Sequence, residues 1–131
     1  MKLFRQLKRD ERGVAVIEIA IVLPVLILFI YGIFQVGILY QANAGMQHAL
    51  GEGARYATLY PTPTDAQIQA KVQAAVFGTK PGTFTVPTPT SSSGFKTLTV
   101  TYSQPMNFLF FPGPTVSLTR TKKVYVAPTT T

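Results

Sequence analysis

The chain has 131 residues, no Cys and a formal net charge of +7. Beyond its basic leader and the apolar run that follows, roughly ninety residues remain, which allows one small domain and not two. The missing Cys excludes a disulfide framework and a thiolate metal site. The charge is not a nucleic-acid footprint, because Lys2, Arg5, Lys8, Arg9 and Arg12 all precede the apolar run, where Lys and Arg set membrane orientation.

Residues 1–13 form a charged leader that also holds Asp10 and Glu11. Residues 14–40 then carry one charge in 27 positions, the carboxylate of Glu18. Such a run exceeds the roughly 20 apolar residues needed to cross a bilayer. A soluble fold would have to bury a helix that is apolar on every face, and too little chain remains to do so. The charge asymmetry predicts a single-pass protein of the cell inner membrane, with its N terminus cytoplasmic and its C-terminal region extracytoplasmic. Ala42-Asn43-Ala44 has the form of a signal-peptidase site, but the apolar run before it is nearly twice the usual length of about 7–15 residues.

One helix is expected from residue 14 to about 58: a transmembrane part over 14–40 and an extramembrane extension over 41–60. Pro24 removes an amide hydrogen and crowds the preceding turn, which predicts a kink over Ala20 to Pro24. Gly32 and Gly37 lie too far apart for a GxxxG packing motif. Gln35 either bonds a neighbouring helix or sits near the outer headgroups, and Tyr40 suits the outer interface. In the extension, Met46, Leu50, Ala54 or Ala57, and Leu59 recur near helical spacing. Gly45, Gly51 and Gly53 each weaken that helix by about 1 kcal/mol relative to Ala, so it needs support from packing. Pro61 and Pro63 stop it.

The remaining residues, 61–131, read as a small extracytoplasmic αβ domain. Thr64 and Gln67 make a capping-box pattern for a helix over Asp65 to Phe77, with Ile68, Val72, Ala75 and Val76 on one stripe and Gly78 at the C-terminal cap. Thr79 to Gly94 is rich in Pro, Gly, Ser and Thr and reads as loop, with one short edge strand at Thr83 to Val86. Phe95 to Tyr102 alternates Thr97, Thr99 and Thr101 against Leu98, Val100 and Tyr102, a half-buried strand. Val116 to Val126 reads as a second strand, in which Arg120 and Lys122 interrupt the apolar face and suggest a bulge or register change. Between them, Phe108-Leu109-Phe110-Phe111 lies among Pro105, Pro112 and Pro114. It reads first as domain core, with a docking surface as the alternative. The tail Pro128 to Thr131 is expected to be disordered. The fold class is therefore α+β: a long N-terminal transmembrane helix extending into a small domain with few antiparallel strands.

Residues Arg12 to Glu18 place a Gly at the end of a basic leader and a Glu five residues later in an apolar helix. This resembles the class III signal of type IV pilins, which implies cleavage by a prepilin peptidase between Gly13 and Val14. Leu23-Pro24 in mid-run and Glu52-Gly53-Ala54-Arg55 narrow the resemblance to the TadE-like family, minor pilins or pseudopilins of the tight-adherence (Flp) pilus. The family's Arg before the Glu is replaced here by Gly51. The resemblance covers about residues 12–58 and implies that Glu18 and Pro24 set helix register and subunit contacts. Glu52, Gly53, Ala54 and Arg55 are the family box. Glu52 and Arg55, three apart on a helix, could pair for a few tenths of a kcal/mol; the resemblance implies that they form part of a subunit contact, the alternative being a solvated pair. A carboxylate in hydrocarbon costs on the order of 2.5–3.5 kcal/mol. In such assemblies the new amine of a neighbouring subunit is thought to neutralise it. The alternative is that the Glu18 carboxylate reaches headgroup water.

No catalytic constellation is present, and the chain reads as a non-enzyme with no cofactor and no small-molecule substrate. His48 and Glu52 are half a metal site without a second half. Ser91 to Ser93 and Ser117 have no nearby His base, and no phosphate-binding glycine loop occurs. The expected partners are the membrane, a prepilin peptidase and other pilin-like subunits of the Tad machinery, with no nucleic acid. The rival reading is an uncleaved, signal-anchored envelope accessory protein that binds a partner through its C-terminal domain.

Overall fold

The computed structural model describes residues 11–78 and 80–126, so the leader up to residue 10 and the tail from residue 127 lie outside the described residues. Helix α1, Glu11–Ala57, is followed by α2, Asp65–Ala75, and by strands β1 (Thr83–Thr85), β2 (Thr90–Ser92), β3 (Phe95–Phe108) and β4 (Phe111–Tyr125). The result is a long helix whose C-terminal half, together with α2, covers one face of a four-stranded antiparallel sheet. α1 runs through Pro24 without interruption. Its segment from Val14 to Phe34 is largely exposed on the isolated chain, and α1 is long and apolar enough to cross a membrane.

β3 is the central strand. β4 pairs along nearly its whole length on one side, while β1 and β2 pair with different parts of the other. The inward positions Leu98, Val100 and Tyr102 are each at most 1% exposed, as the alternation with Thr predicts. On the opposite face Thr101 and Thr119, directly paired across strands, approach to 3.1 Å through their hydroxyls. One wet face and one packed face are usual for an antiparallel sheet.

Met46, Leu50 and Ala57 of α1 enter the core with Ile68 and Val72 of α2 and the inward face of β3. Leu59 does not, because α1 ends at Ala57. α2 begins at the expected capping box, with the Thr64 backbone N–H donating to Gln67 Oε1 at 2.9 Å. It ends at Val76 rather than Gly78: Val76 leaves helical geometry while its N–H still donates to the Val72 carbonyl. Asp65, in the first turn of α2, pairs with Lys96 of β3 and ties the two elements together.

The glycines of α1 have opposite roles. A Cβ on Gly53 would strike the Val72 and Leu98 side chains, and one on Gly45 would strike the Phe77 backbone. Both positions are buried, and the missing side chains let α2 and the sheet come close. Gly51 faces open space.

Three features differ from the sequence-based expectation. The Ser run forms β2, joined to β3 by a two-residue turn in which Ser93 and Gly94 both have positive φ, 50° and 80°. That is the hairpin geometry whose twist matches the flanking strands. β3 and β4 run through Pro105, Pro112 and Pro114 and meet at Phe108 and Phe111. No register change falls at Arg120 or Lys122, which pair with Val100 and Leu98; the irregularity lies between Pro105 and Asn107. β4 is an edge strand, so its charged inward positions stay exposed, and Arg120 Nε donates to Asn43 Oδ1 of α1 at 2.7 Å.

The glycine roles predict opposite outcomes by urea unfolding of the detergent-solubilised protein. Gly53→Val should destabilise by about 1–3 kcal/mol through overpacking. Gly51→Ala should stabilise by up to about 1 kcal/mol through helix propensity.

Candidate functional site: one helix with two working ends

The residues singled out by sequence fall at the two ends of α1. Gly13, Val14, Glu18 and Pro24 lie on its bare segment, all exposed. At 1.5 Å per residue, Glu18 and Glu52 are separated by roughly 50 Å along the axis, so the acid and the box do not form one site.

At the first end, Val14 and Glu18 are four residues apart and therefore share one helix face. Glu18 has no hydrogen-bond or ion-pair partner among the described residues. Among the described residues a Cβ on Gly13 would meet nothing within 4 Å, so no packing against them requires glycine there.

At the second end, the small residues of the box do the packing. Gly53 and Ala54 are buried, Glu52 is half-buried and Arg55 is exposed. Glu52 and Arg55 form no ion pair with each other; the Arg55 carbonyl accepts from Thr58 Oγ1 at 2.8 Å. A Cβ on Gly51 would meet nothing within 4 Å among the described residues, so the position opens to free space. His48 lies against Phe77 with ring centroids 5.6 Å apart.

Between the two ends lies a polar latch that sequence reasoning missed. Gln35 is 3% exposed and Gln104 is fully buried. Gln104 Nε2 donates to Gln35 Oε1 at 2.6 Å, Gln35 Nε2 donates to the Asn107 carbonyl at 2.9 Å, and Tyr102 Oη donates to Gln104 Oε1 at 3.1 Å. Gln35 thus bonds its own sheet, rather than a neighbouring helix or the headgroups. A sequence signal existed: Gln104 continues the inward phase of Leu98, Val100 and Tyr102, and Gln35 interrupts an apolar run. Two amides at apolar positions can satisfy one another. Burial pushes the Tyr102 phenol above its ordinary value of 10.0, partly offset by a backbone hydrogen bond at Gly82.

The signal-like Gly, the early Glu, the Leu-Pro and the packed box all lie on one continuous helix. Residues 13–55 match the family described as TadE-like protein. The match begins at Gly13, ends at Arg55 and includes none of α2 or the sheet. No curated protein and no solved structure matches the chain. The TadE-like segment therefore contains both ends of the candidate site and one half of the latch, Gln35.

Two outcomes test the latch in the full-length protein. Gln35→Leu should destabilise by about 1–3 kcal/mol, because it strands the Gln104 amide. The double change Gln35→Leu/Gln104→Leu should cost less than the sum of the single changes in a urea-unfolding cycle. The raised Tyr102 pKa means that the folded state holds this proton more tightly than the unfolded chain does. That stabilisation is present below pH 10.0 and is lost as pH rises through the folded-state value. Thermal melts above pH 10.0 should therefore show a smaller alkaline fall in Tyr102→Phe than in the parent chain.

Proposed function

We propose that the chain is a minor pilin or pseudopilin acting in assembly of a tight-adherence pilus, and that it is not an enzyme. The observation that carries this reading is the extent of the family match: it starts at the Gly expected before the cleavage point and ends in the box. Val14 to Phe34 at 1.5 Å per residue gives roughly 31 Å, close to the thickness of a bilayer's hydrocarbon core. The helix anchors the protein in the inner membrane, with the basic leader in the cytoplasm and the sheet outside.

Prepilin peptidase cuts between Gly13 and Val14. The helix stays on the mature protein and gains an amine at Val14, one turn from Glu18 on the same face. In an isolated subunit that amine offsets its own carboxylate; between packed helices it meets the Glu18 of a neighbour. Either pairing relieves the cost of an ionised acid in hydrocarbon, and the second fixes the axial offset between subunits. The exposed apolar face of α1, including the Pro24 region, packs against the helices of other pilin-like subunits. The αβ domain selects partners among them.

The test is the N-terminal residue and intact mass of protein recovered from membranes, with and without a co-expressed prepilin peptidase proven active on a control substrate. A peptidase-dependent start at Val14, lost in Gly13→Leu, is expected. An unprocessed N terminus in both samples would leave the rival, an uncleaved signal-anchored accessory protein. For Glu18→Gln, processing should persist while crosslinking to a pilin-like partner falls.

A further inference from the structure

We infer that the tip of the β3–β4 hairpin is a second membrane-inserting element, which enters the outer leaflet beside α1 and takes lipid acyl chains as its ligand. This inference rests on the membrane-anchored reading of α1 and adds a contact that the reading does not require.

Leu109, Phe110 and Phe111 at the tip are 57%, 66% and 53% exposed. Three large apolar side chains in a row on a solvent-facing turn are costly in water, and a small domain with a packed core has no internal need for them. Their location sets them apart from an ordinary surface patch. The Gln35 bond to the Asn107 carbonyl holds the tip against α1. Just beyond that bond, Leu28, Phe29 and Ile33 of α1 face Met106 and Phe108 of the hairpin across an open groove of about 530 Å³. The apolar surface of the tip is therefore continuous with the bare apolar surface of the helix. Leu28 lies six residues before Phe34, roughly 9 Å along the axis. Amphipathic elements reach about 5–10 Å into the headgroup and acyl boundary.

The chemistry of the hairpin suits that depth. No Asp, Glu, Lys or Arg occurs between Lys96 and Arg120, so the charges lie at the end of the sheet away from the tip. An unpaired backbone N–H in hydrocarbon costs several kcal/mol. Pro105, Pro112 and Pro114 remove three such donors from the tip region, and Phe108 pairs with Phe111 to close the ladder.

The chain contains no Trp, so single introduced Trp residues are clean depth probes. The full-length variants Phe110→Trp, Phe29→Trp and Tyr60→Trp are reconstituted in phosphatidylcholine–phosphatidylglycerol vesicles. Their emission is measured with lipids brominated near the headgroup end or near the methyl end of the acyl chains. Phe110→Trp should lose most of its emission to the shallow bromines, Phe29→Trp should be quenched by bromines within the bilayer, and Tyr60→Trp should be unaffected. Leu109→Trp should repeat the result for Phe110→Trp.

Quenching of Phe29→Trp without quenching of either tip variant overturns the inference and leaves the anchor standing. In that case, blue-shifted tip emission that moves to the red on dilution with lipid identifies a second copy of the chain as the cover. Loss of quenching at Phe29→Trp as well would overturn the anchored reading and the tip inference together.

Discussion

The structure depends on the close approach of α2 and the sheet to a single helix. α1 supplies one wall of the core along its C-terminal half, and the glycines at 45 and 53 leave room for the Phe77 backbone and for the Val72 and Leu98 side chains. Glycines weaken an isolated helix; here two of them are where the packing is tightest, so burial offsets the loss. The domain is therefore not a globule hung on a tether. Its core includes the helix, and any rotation of α1 about its axis would carry Met46, Leu50 and Ala57 out of the core they share with α2 and β3.

Rigid coupling matters for the proposed work. The helix is continuous from Glu11 to Ala57, so a register set at its bare end by the proposed pairing would be carried to the sheet at the other end. The latch of Gln35, Gln104 and Asn107 sits where the two environments meet. Buried amides in an apolar setting are costly unless paired, and their mutual pairing fixes the angle at which the hairpin descends beside the helix. Pairing at Glu18, packing at the box and insertion at the hairpin tip would then be coordinated by one rigid body.

Much of this was legible in the sequence. The apolar run announced α1 because no other structure hides the backbone of so many consecutive apolar residues. Thr64 and Gln67 announced α2, and the Thr alternation announced the inner half of β3. What was not legible has physical causes. Ser93 has no side-chain preference for positive φ, so the β2 turn was hidden in a stretch that reads as loop. Pro105, Pro112 and Pro114 masked the extent of the hairpin, because proline is excluded from central strands and tolerated at edges and irregularities. Arg120 and Lys122 read as an interruption since periodicity carries no information about which strand lies at the edge. The aromatic run Phe108 to Phe111 reads first as core in the sequence, yet it lies at the hairpin tip, where Leu109, Phe110 and Phe111 are exposed. Only the fold shows that the space beside it is lined by α1. The latch needed two residues 69 positions apart to be seen together.

In the proposed reading one uninterrupted helix serves two solvents, lipid up to about Phe34 and protein core beyond it. The absence of Cys makes single-Cys labelling along α1 the most direct test. With the full-length protein in vesicles and a membrane-impermeant maleimide, Cys at Ile19, Val25 or Phe29 should resist labelling until detergent is added. Cys at Tyr40, Gln41 or Gln47, exposed on the domain-bearing half, should label readily in outward-facing protein. Ready labelling at Val25 or Phe29 without detergent would show that lipid does not cover this part of α1.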